Sequence, residues 1–200
     1  MSNKKPRGKT RDNKRKKVQN LNRQRRVARI TALRKKILKY DNPILSEECE
    51  KVSPGDDLSF IKDMKNVLDA SPSGVGLAAN QIGVTKNVIV IDPDNNGKYT
   101  VMINPYVNIY SGFEQRKKES CLSYPGFSTS VARYPEIMIT YWNEKMEKQE
   151  EQKYFHFKAR VIQHELDHLS GKCIVGERWK EDKYGKEVEE VKEVEEVGAD

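Results

Sequence analysis

Two histidines frame the run His164-Glu165-Leu166-Asp167-His168. On a helix, residues i and i+4 share a face, with Cβ atoms ~5–6 Å apart. Two imidazoles so placed can share one metal ion. The glutamate between them lies farther round the helix, where it can act on a water as general base. The plain alternative is a surface helix with two solvated histidines. Against it, the chain has only 3 histidines, and the flanking Val161, Ile162, Leu166 and Leu169 mark a helix that packs.

Two histidines leave a catalytic metal one protein ligand short. Glu177 and Glu181 follow at spacings that do not suggest a second ligand-bearing helix, and no histidine follows His168. The other candidate lies upstream, Cys121 in Glu119-Ser120-Cys121-Leu122-Ser123. A thiolate is a soft, strongly donating ligand, whereas a lone cysteine is more often a small core residue. Polar neighbours and the missing third ligand favour the metal. A third segment, Gly74-Val75-Gly76-Leu77-Ala78-Ala79-Asn80-Gln81, is dense in glycine and alanine, the mark of a close backbone approach. It is not a phosphate loop, because no Gly-Lys-Ser/Thr follows. Gln81 can offer an amide donor to an oxyanion.

The elements that must position these groups are legible in outline. Tyr40 to Pro43 reads as a turn opening the globular part. Leu58, Ile61, Met64 and Leu68 recur at helical spacing, predicting a helix to about Ala70, capped by Asp56 or Asp57. Val88 to Ile91 reads as a buried strand, and Asp92 to Gly97 as a turn returning the chain into a strand from Tyr99 to Ile103. Further strands are expected near 106–110, 113–118, 127–131, 136–142 and 152–157. A helix over about Lys158 to Leu169, ended by Gly171, carries the histidines. The order predicts an α+β domain, with mostly antiparallel sheets packed around the C-terminal HExxH helix.

At 200 residues the chain holds one ordinary domain plus tails. Its 3 cysteines, Cys49, Cys121 and Cys173, are no disulfide framework and suit a reducing compartment. The net charge of +7 hides an asymmetry: residues 1–40 carry 17 Lys and Arg against one acid, Asp12, while the rest carry 20 against 29 acids. Residues 1–20 have too little apolar surface to order alone. Val27, Ile30, Leu33 and Ile37 can make a basic amphipathic helix between Leu21 and Lys39. Residues 1–32 are therefore expected to be an arm, 33–176 the domain and 177–200 an acidic tail. Valine at every third position from Val188 to Val197, among acids, is too sparse for core. No apolar run approaches the ~18 residues of a membrane span, and the N-terminus lacks a secretory core. A cytoplasmic monomer is expected, with organelle targeting through the arm as an alternative.

The three motifs, in this order, resemble those of the peptide deformylase family, GxGxAAxQ, EGCxS and HExDH. Here they read GVGLAANQ, ESCLS and HELDH, and the resemblance runs from about Lys36 to Gly176. It also takes in the ILKYDNPIL entry segment and the VARYP segment. It implies hydrolysis of the N-formyl group of N-formylmethionyl nascent chains, releasing formate. Cys121, His164 and His168 would hold the metal, typically Fe2+, with Zn2+, Ni2+ or Co2+ able to substitute. Glu165 would move the proton, and Gln81 with the Leu122 N–H would stabilise the oxyanion. Gly76 and Ser120 would pair with the substrate backbone, and Val75, Phe157 and Val161 would receive the first side chain. Ser120 departs from the family's usual glycine, and its Cβ can crowd the substrate or alter the strand. Arg160, one turn before His164, is either a solvated helix residue or a bias toward acidic side chains. Two other classes compete: an endopeptidase of the HExxH type, which has no use for Cys121 and Gln81, and an RNA-binding protein on a retired enzyme scaffold. The basic arm points to ribosomal RNA as partner, against readings as a solubility aid, a fold-back onto the acidic tail or a targeting sequence.

Overall fold

The computed structural model describes residues 9–174, so the tail expected at 177–200 lies outside the described residues. Strands β1 (Gly76–Ala78), β2 (Val88–Ile91), β3 (Thr100–Ser111), β6 (Glu136–Trp142) and β7 (Lys148–Phe155) form one antiparallel sheet in the order β1-β2-β3-β6-β7. Strands β4 (Gln115–Cys121) and β5 (Tyr124–Arg133) form a second, two-stranded sheet.

The core follows from the period-2 alternation of strands. Val88 and Val90 pack with Ile61, Met64, Val67 and Leu68 of helix α2 (Phe60–Asp69) on one side of the sheet. Ile89 and Ile91 pack with Ala159, Val161, Ile162 and Leu169 of helix α3 (His156–Leu169) on the other. A strand covered on both faces must be apolar at every position, and all four residues of β2 are buried. Helix α3 thus lies against the sheet, as the order of elements predicts. At its end Gly171 takes φ +67°, and a Cβ there would meet the Ser46 carbonyl carbon at 2.7 Å. Only glycine fits that turn.

Several boundaries differ from expectation. The segments near 99–103 and 106–110 are one strand, β3, with register shifts between Ile103 and Tyr106. Asn104, at φ 49°, and Pro105 interrupt the apolar pattern, and the bulge absorbs them. The Asn104 amide holds it in place, accepting from Val52 N–H at 2.8 Å and donating to the Val52 carbonyl at 2.9 Å. Strand β5 starts three residues before the expected 127, and β7 takes in the polar run from Lys148, because exposed edge residues carry no apolar signal. Asp57 does not cap α2. It accepts from the N–H and hydroxyl of Ser59, which stands at the N-cap position without a side-chain cap bond.

The arm also differs. Helix α1 (Lys9–Arg34) begins where disorder is expected and stops five residues before Lys39. Lysine, arginine and glutamine are good helix formers, so a charged segment can be helical with no face to bury. Val18 and Val27 are more than half exposed, and packing on the core starts only at Leu33 and Ile37. The helix must end there, because Leu38 N–H bonds to the Gln81 carbonyl at 2.8 Å and draws the chain across the domain. No helix among the described residues is long and apolar enough to cross a membrane.

These burials set a contrast in stability. Ile162→Ala, at 0% exposure, is expected to cost about 2–5 kcal/mol. Val18→Ala on α1 is expected to change stability by no more than about 0.5 kcal/mol. Urea titration of both variants checks the pair, and equal losses would mean that α1 packs on the domain in solution.

Candidate active site

Strand β4 and helix α3 bring the three sequence-predicted ligands together. Glu119 and Cys121, two residues apart on β4, are buried, while Ser120 between them is exposed. The ligand atoms of Cys121, His164 and His168 all lie within 4.8 Å of one another, the one such group among the described residues. Cys121 Sγ is 3.1 Å from His168 Nε2. Donors of this kind, one thiolate and two imidazoles with room beside them, suit a catalytic rather than a structural metal. Glu165 Oε2 is buried without a partner among the described residues. A buried carboxylate oxygen needs a cation or a donor, so the residues present fit a divalent ion with a water beside it.

Glu119 has a part that the sequence reading missed. His164 Nδ1 lies 3.0 Å from Glu119 Oε2, which fixes the ring and turns Nε2 toward the cluster. Arg133 clamps the same carboxylate, with Nε and Nη2 each donating at 3.1 Å, and its Nη1 reaches Asp167 at 2.6 Å. Burial alone would raise the Glu119 carboxyl, but the bonds from His164 and Arg133 hold it at about 2. For His164, burial disfavours the charged ring, yet the bonds to Cys121 and Glu119 push it up to about 10. Burial, then the charge on His164, pushes His168 down to about 3. A strand alternation argument finds Glu119, two residues from Cys121 and hence on its face. Nothing local identifies Arg133.

Glu165 is 4% exposed and lines a cavity of about 670 Å³ with Gln81, Leu122 and Cys121. Burial, against the pull of His164, pushes its carboxyl up to about 7. Gly76 explains the glycine-rich segment: a Cβ there would collide with Glu165 Oε1 and stand 2.9 Å from Glu165 Cδ and Val161 Cγ1. The segment forms β1 and then a 3-10 turn, Ala79–Ile82, which presents Gln81. Gln81 Oε1 accepts from Ala78 N–H at 2.9 Å, leaving Nε2 3.1 Å from Ser123 Oγ and 3.6 Å from Cys121 Sγ. The adjacent Asn80 donates to the His168 carbonyl at 2.6 Å, joining this turn to the end of α3.

The other sequence-predicted residues, Val75, Gly76, Ser120, Phe157 and Val161, all line the same cavity. Phe157 is half exposed and Val161 buried. Ser120 pairs with Ser128 and is not among the positive-φ residues, so the backbone here does not require glycine. Arg160 is not a solvated helix residue: its side chain is 12% exposed and contacts Glu119.

Replacing Glu119 by Gln keeps the shape but removes the charge behind His164. Such outer partners are worth about 10–100-fold in metal affinity, and that loss is expected on competition with a chelator. Unchanged affinity would mean that Glu119 serves the fold alone.

Comparison with known proteins places this geometry. The family model "Polypeptide deformylase" matches residues 34–183. The peptide deformylase of Pseudothermotoga lettingae is 39% identical over 143 residues, 70% of this chain and 81% of that one. That of Aquifex aeolicus is 41% identical over 145 residues, 70% and 84%. Among solved structures, a Synechococcus elongatus peptide deformylase in complex with actinonin superposes with TM-score 0.64 at 33% identity, covering 70% of this chain and 75% of that chain. A Met-Ala-Ser-bound class I type b enzyme from Acinetobacter baumannii gives 0.61 at 28%, covering 70% and 94%. The chain belongs to the peptide deformylase family.

Proposed function

We propose that residues 33–176 form a catalytic domain that removes the N-formyl group from N-formylmethionyl nascent chains, releasing formate. The observation that carries this is the convergence of Cys121, His164 and His168 at the wall of a cavity that Cys121, His164 and the buried Glu165 line. These three residues would hold Fe2+, with Zn2+, Ni2+ or Co2+ able to substitute. A divalent ion there supplies Lewis acidity, which activates water near neutral pH and polarises a carbonyl.

The chain's own groups do the rest. Glu165 takes a proton from the attacking water and passes it to the leaving amine, a task suited to a carboxyl that titrates near neutrality. Gln81 Nε2 and the Leu122 N–H donate to the formyl oxygen as it gains charge. The peptide backbone lies as an added strand against Gly76 and Ser120, and Val75, Phe157 and Val161 receive the methionine side chain. The Met-Ala-Ser peptide bound by the Acinetobacter relative supports a peptide in this cavity.

The protein acts as a cytoplasmic monomer in this reading, and the basic arm, residues 1–32 with its helix continuing to Arg34, binds ribosomal RNA. Seventeen positive charges in residues 1–40 favour phosphates without regard to sequence. The acidic residues 177–200 would not serve that purpose.

Two experiments test these statements. Protein purified anaerobically with Fe2+ is expected to deformylate formyl-Met-Ala-Ser, and Glu165→Ala to lose about 10²–10⁴-fold in rate. A metal-loaded wild type without turnover would refute the activity. RNA gel shifts with and without residues 1–32 are expected to show affinity that needs the arm and falls steeply with salt. Equal affinity of both forms at low salt would remove RNA as the arm's partner.

A further inference from the structure

The cavity wall holds a guanidinium that the deformylation chemistry does not use. Arg160 projects from α3 one turn before His164 and lines the cavity. Among the described residues its side chain makes two polar contacts, Nη1 to Glu119 Oε1 at 3.3 Å and Nη2 to the Gln115 carbonyl at 3.4 Å. Both are long for a charged donor, whose bonds to carboxylates usually measure about 2.7–2.9 Å. Glu119 does not depend on them, because Arg133 already donates to both of its oxygens and His164 lies against one. A guanidinium carries five donors in a fixed fork that matches a carboxylate. Arg160 is thus a mostly buried cation whose geometry is only loosely committed.

Lys118 lines the same cavity from β4 and is exposed. Apart from Cys121 and His164 of the candidate metal group, the cavity's ionisable residues are Lys118, Glu119, Tyr124, Arg160 and Glu165, and the charged ones among them are Lys118, Glu119, Arg160 and Glu165. Of the two acids, Glu119 is clamped as described, and Glu165 is buried where the proton transfer takes place. The two cations remain as the charge that an incoming side chain meets. Basic residues on a strand edge also guard it against pairing with other chains. That accounts for Arg116 and Lys117, which do not line the cavity. It does not account for Arg160, which comes from a helix and is 12% exposed.

We infer that Arg160 and Lys118 form a carboxylate subsite, which selects formylated peptides carrying Asp or Glu in the residues that follow the formylated one. The inference rests on the deformylase reading above. A peptide lying along β4 past Ser120 brings those side chains to Lys118 and Arg160. The subsite adds preference by attraction and by repulsion of basic side chains, not by changing the reaction.

The test compares formyl-Met-Ala-Ser with formyl-Met-Glu-Ser and formyl-Met-Ala-Glu, and with the corresponding lysine peptides. The better glutamate peptide is expected to exceed the alanine peptide about 10-fold in kcat/KM, mainly through KM, as a charge-assisted contact allows. The lysine peptides are expected to fall below it, and raised salt to shrink the spread. The product tripeptides Met-Glu-Ser and Met-Ala-Ser are expected to bind in the same order. Arg160→Gln and Lys118→Gln are each expected to bring the glutamate-to-alanine ratio toward one. A ratio cancels any uniform loss that Arg160→Gln causes through Glu119, and Lys118→Gln decides the matter if the other variant does not fold. A wild-type ratio near one, or a ratio unchanged in the variants, overturns the subsite while leaving the deformylase reading in place. Absence of turnover with every peptide would overturn both.

Discussion

The buried carboxylate of Glu119 is the interaction on which the site depends. It meets His164, one of the three residues that could hold a metal, and two arginines from different elements, and removing its charge would leave all three unbalanced. A buried ion pair gains little over a well-packed apolar pair, but breaking one is costly, because the remaining charge is stranded. Such a network therefore contributes specificity of arrangement more than stability. It fixes which nitrogen of the His164 ring is left free for the cluster, and it joins strand β4 to helix α3.

The second constraint is steric. Helix α3 carries both a core face and the buried cavity carboxylate of Glu165, so β1 must pass close enough to cover the core without displacing Glu165. Gly76 resolves this by having no side chain where Glu165 Oε1 stands. The next residues alternate as a strand must: Leu77 joins the α2 side of the core and Ala78 the α3 side. Gln81 then arrives beside Cys121 as the chain turns. One short segment thus packs both cores and delivers a donor to the site, which is why its composition is so small and apolar.

How far the sequence reveals this depends on the range of each interaction. The pairing of His164 with His168 is legible, because helical spacing alone brings them together. Cys121 needed the missing ligand and the resemblance to single it out, since nothing in residues 119–123 says that β4 approaches α3. Glu119 was within reach by strand alternation with Cys121. Arg133 was not, because its partners Glu119 and Asp167 lie 14 and 34 residues away. The second half of helix α1 was legible in the spacing of Val27, Ile30 and Leu33, but its first half, from Lys9 to Asn20, escaped for a different reason. Its helix propensity is high and it carries almost no apolar residues, so a reading that looks for buried faces finds none there. The long β3 was split at Asn104-Pro105, where a bulge, not a break, absorbs the irregularity.

The placement of Cys121 ties folding to the site. Among the described residues strands β4 and β5 pair only with each other, and a two-stranded ribbon is at best marginally stable alone. Its apolar attachment is small: Cys121 and Tyr124 are buried with Phe127, Cys173 and Ile174, and Leu122 packs against the α2 side of the core. Polar ties add to it: Lys39 Nζ donates to the Leu122 carbonyl, Tyr40 N–H to the Ser123 carbonyl, Gln81 to Ser123, and Glu119 is joined to α3 through His164, Arg160 and the Arg133 link to Asp167. With Cys121 on the ribbon and both histidines on the helix, an ion held by the three would cross-link the two units, and its binding free energy would count toward folding. The ribbon also supplies Ser120 and Lys118 to the cavity. Whatever secures Cys121 therefore sets the width of the cavity as well as the ligand geometry, so metal retention and substrate fit rest on the same contacts.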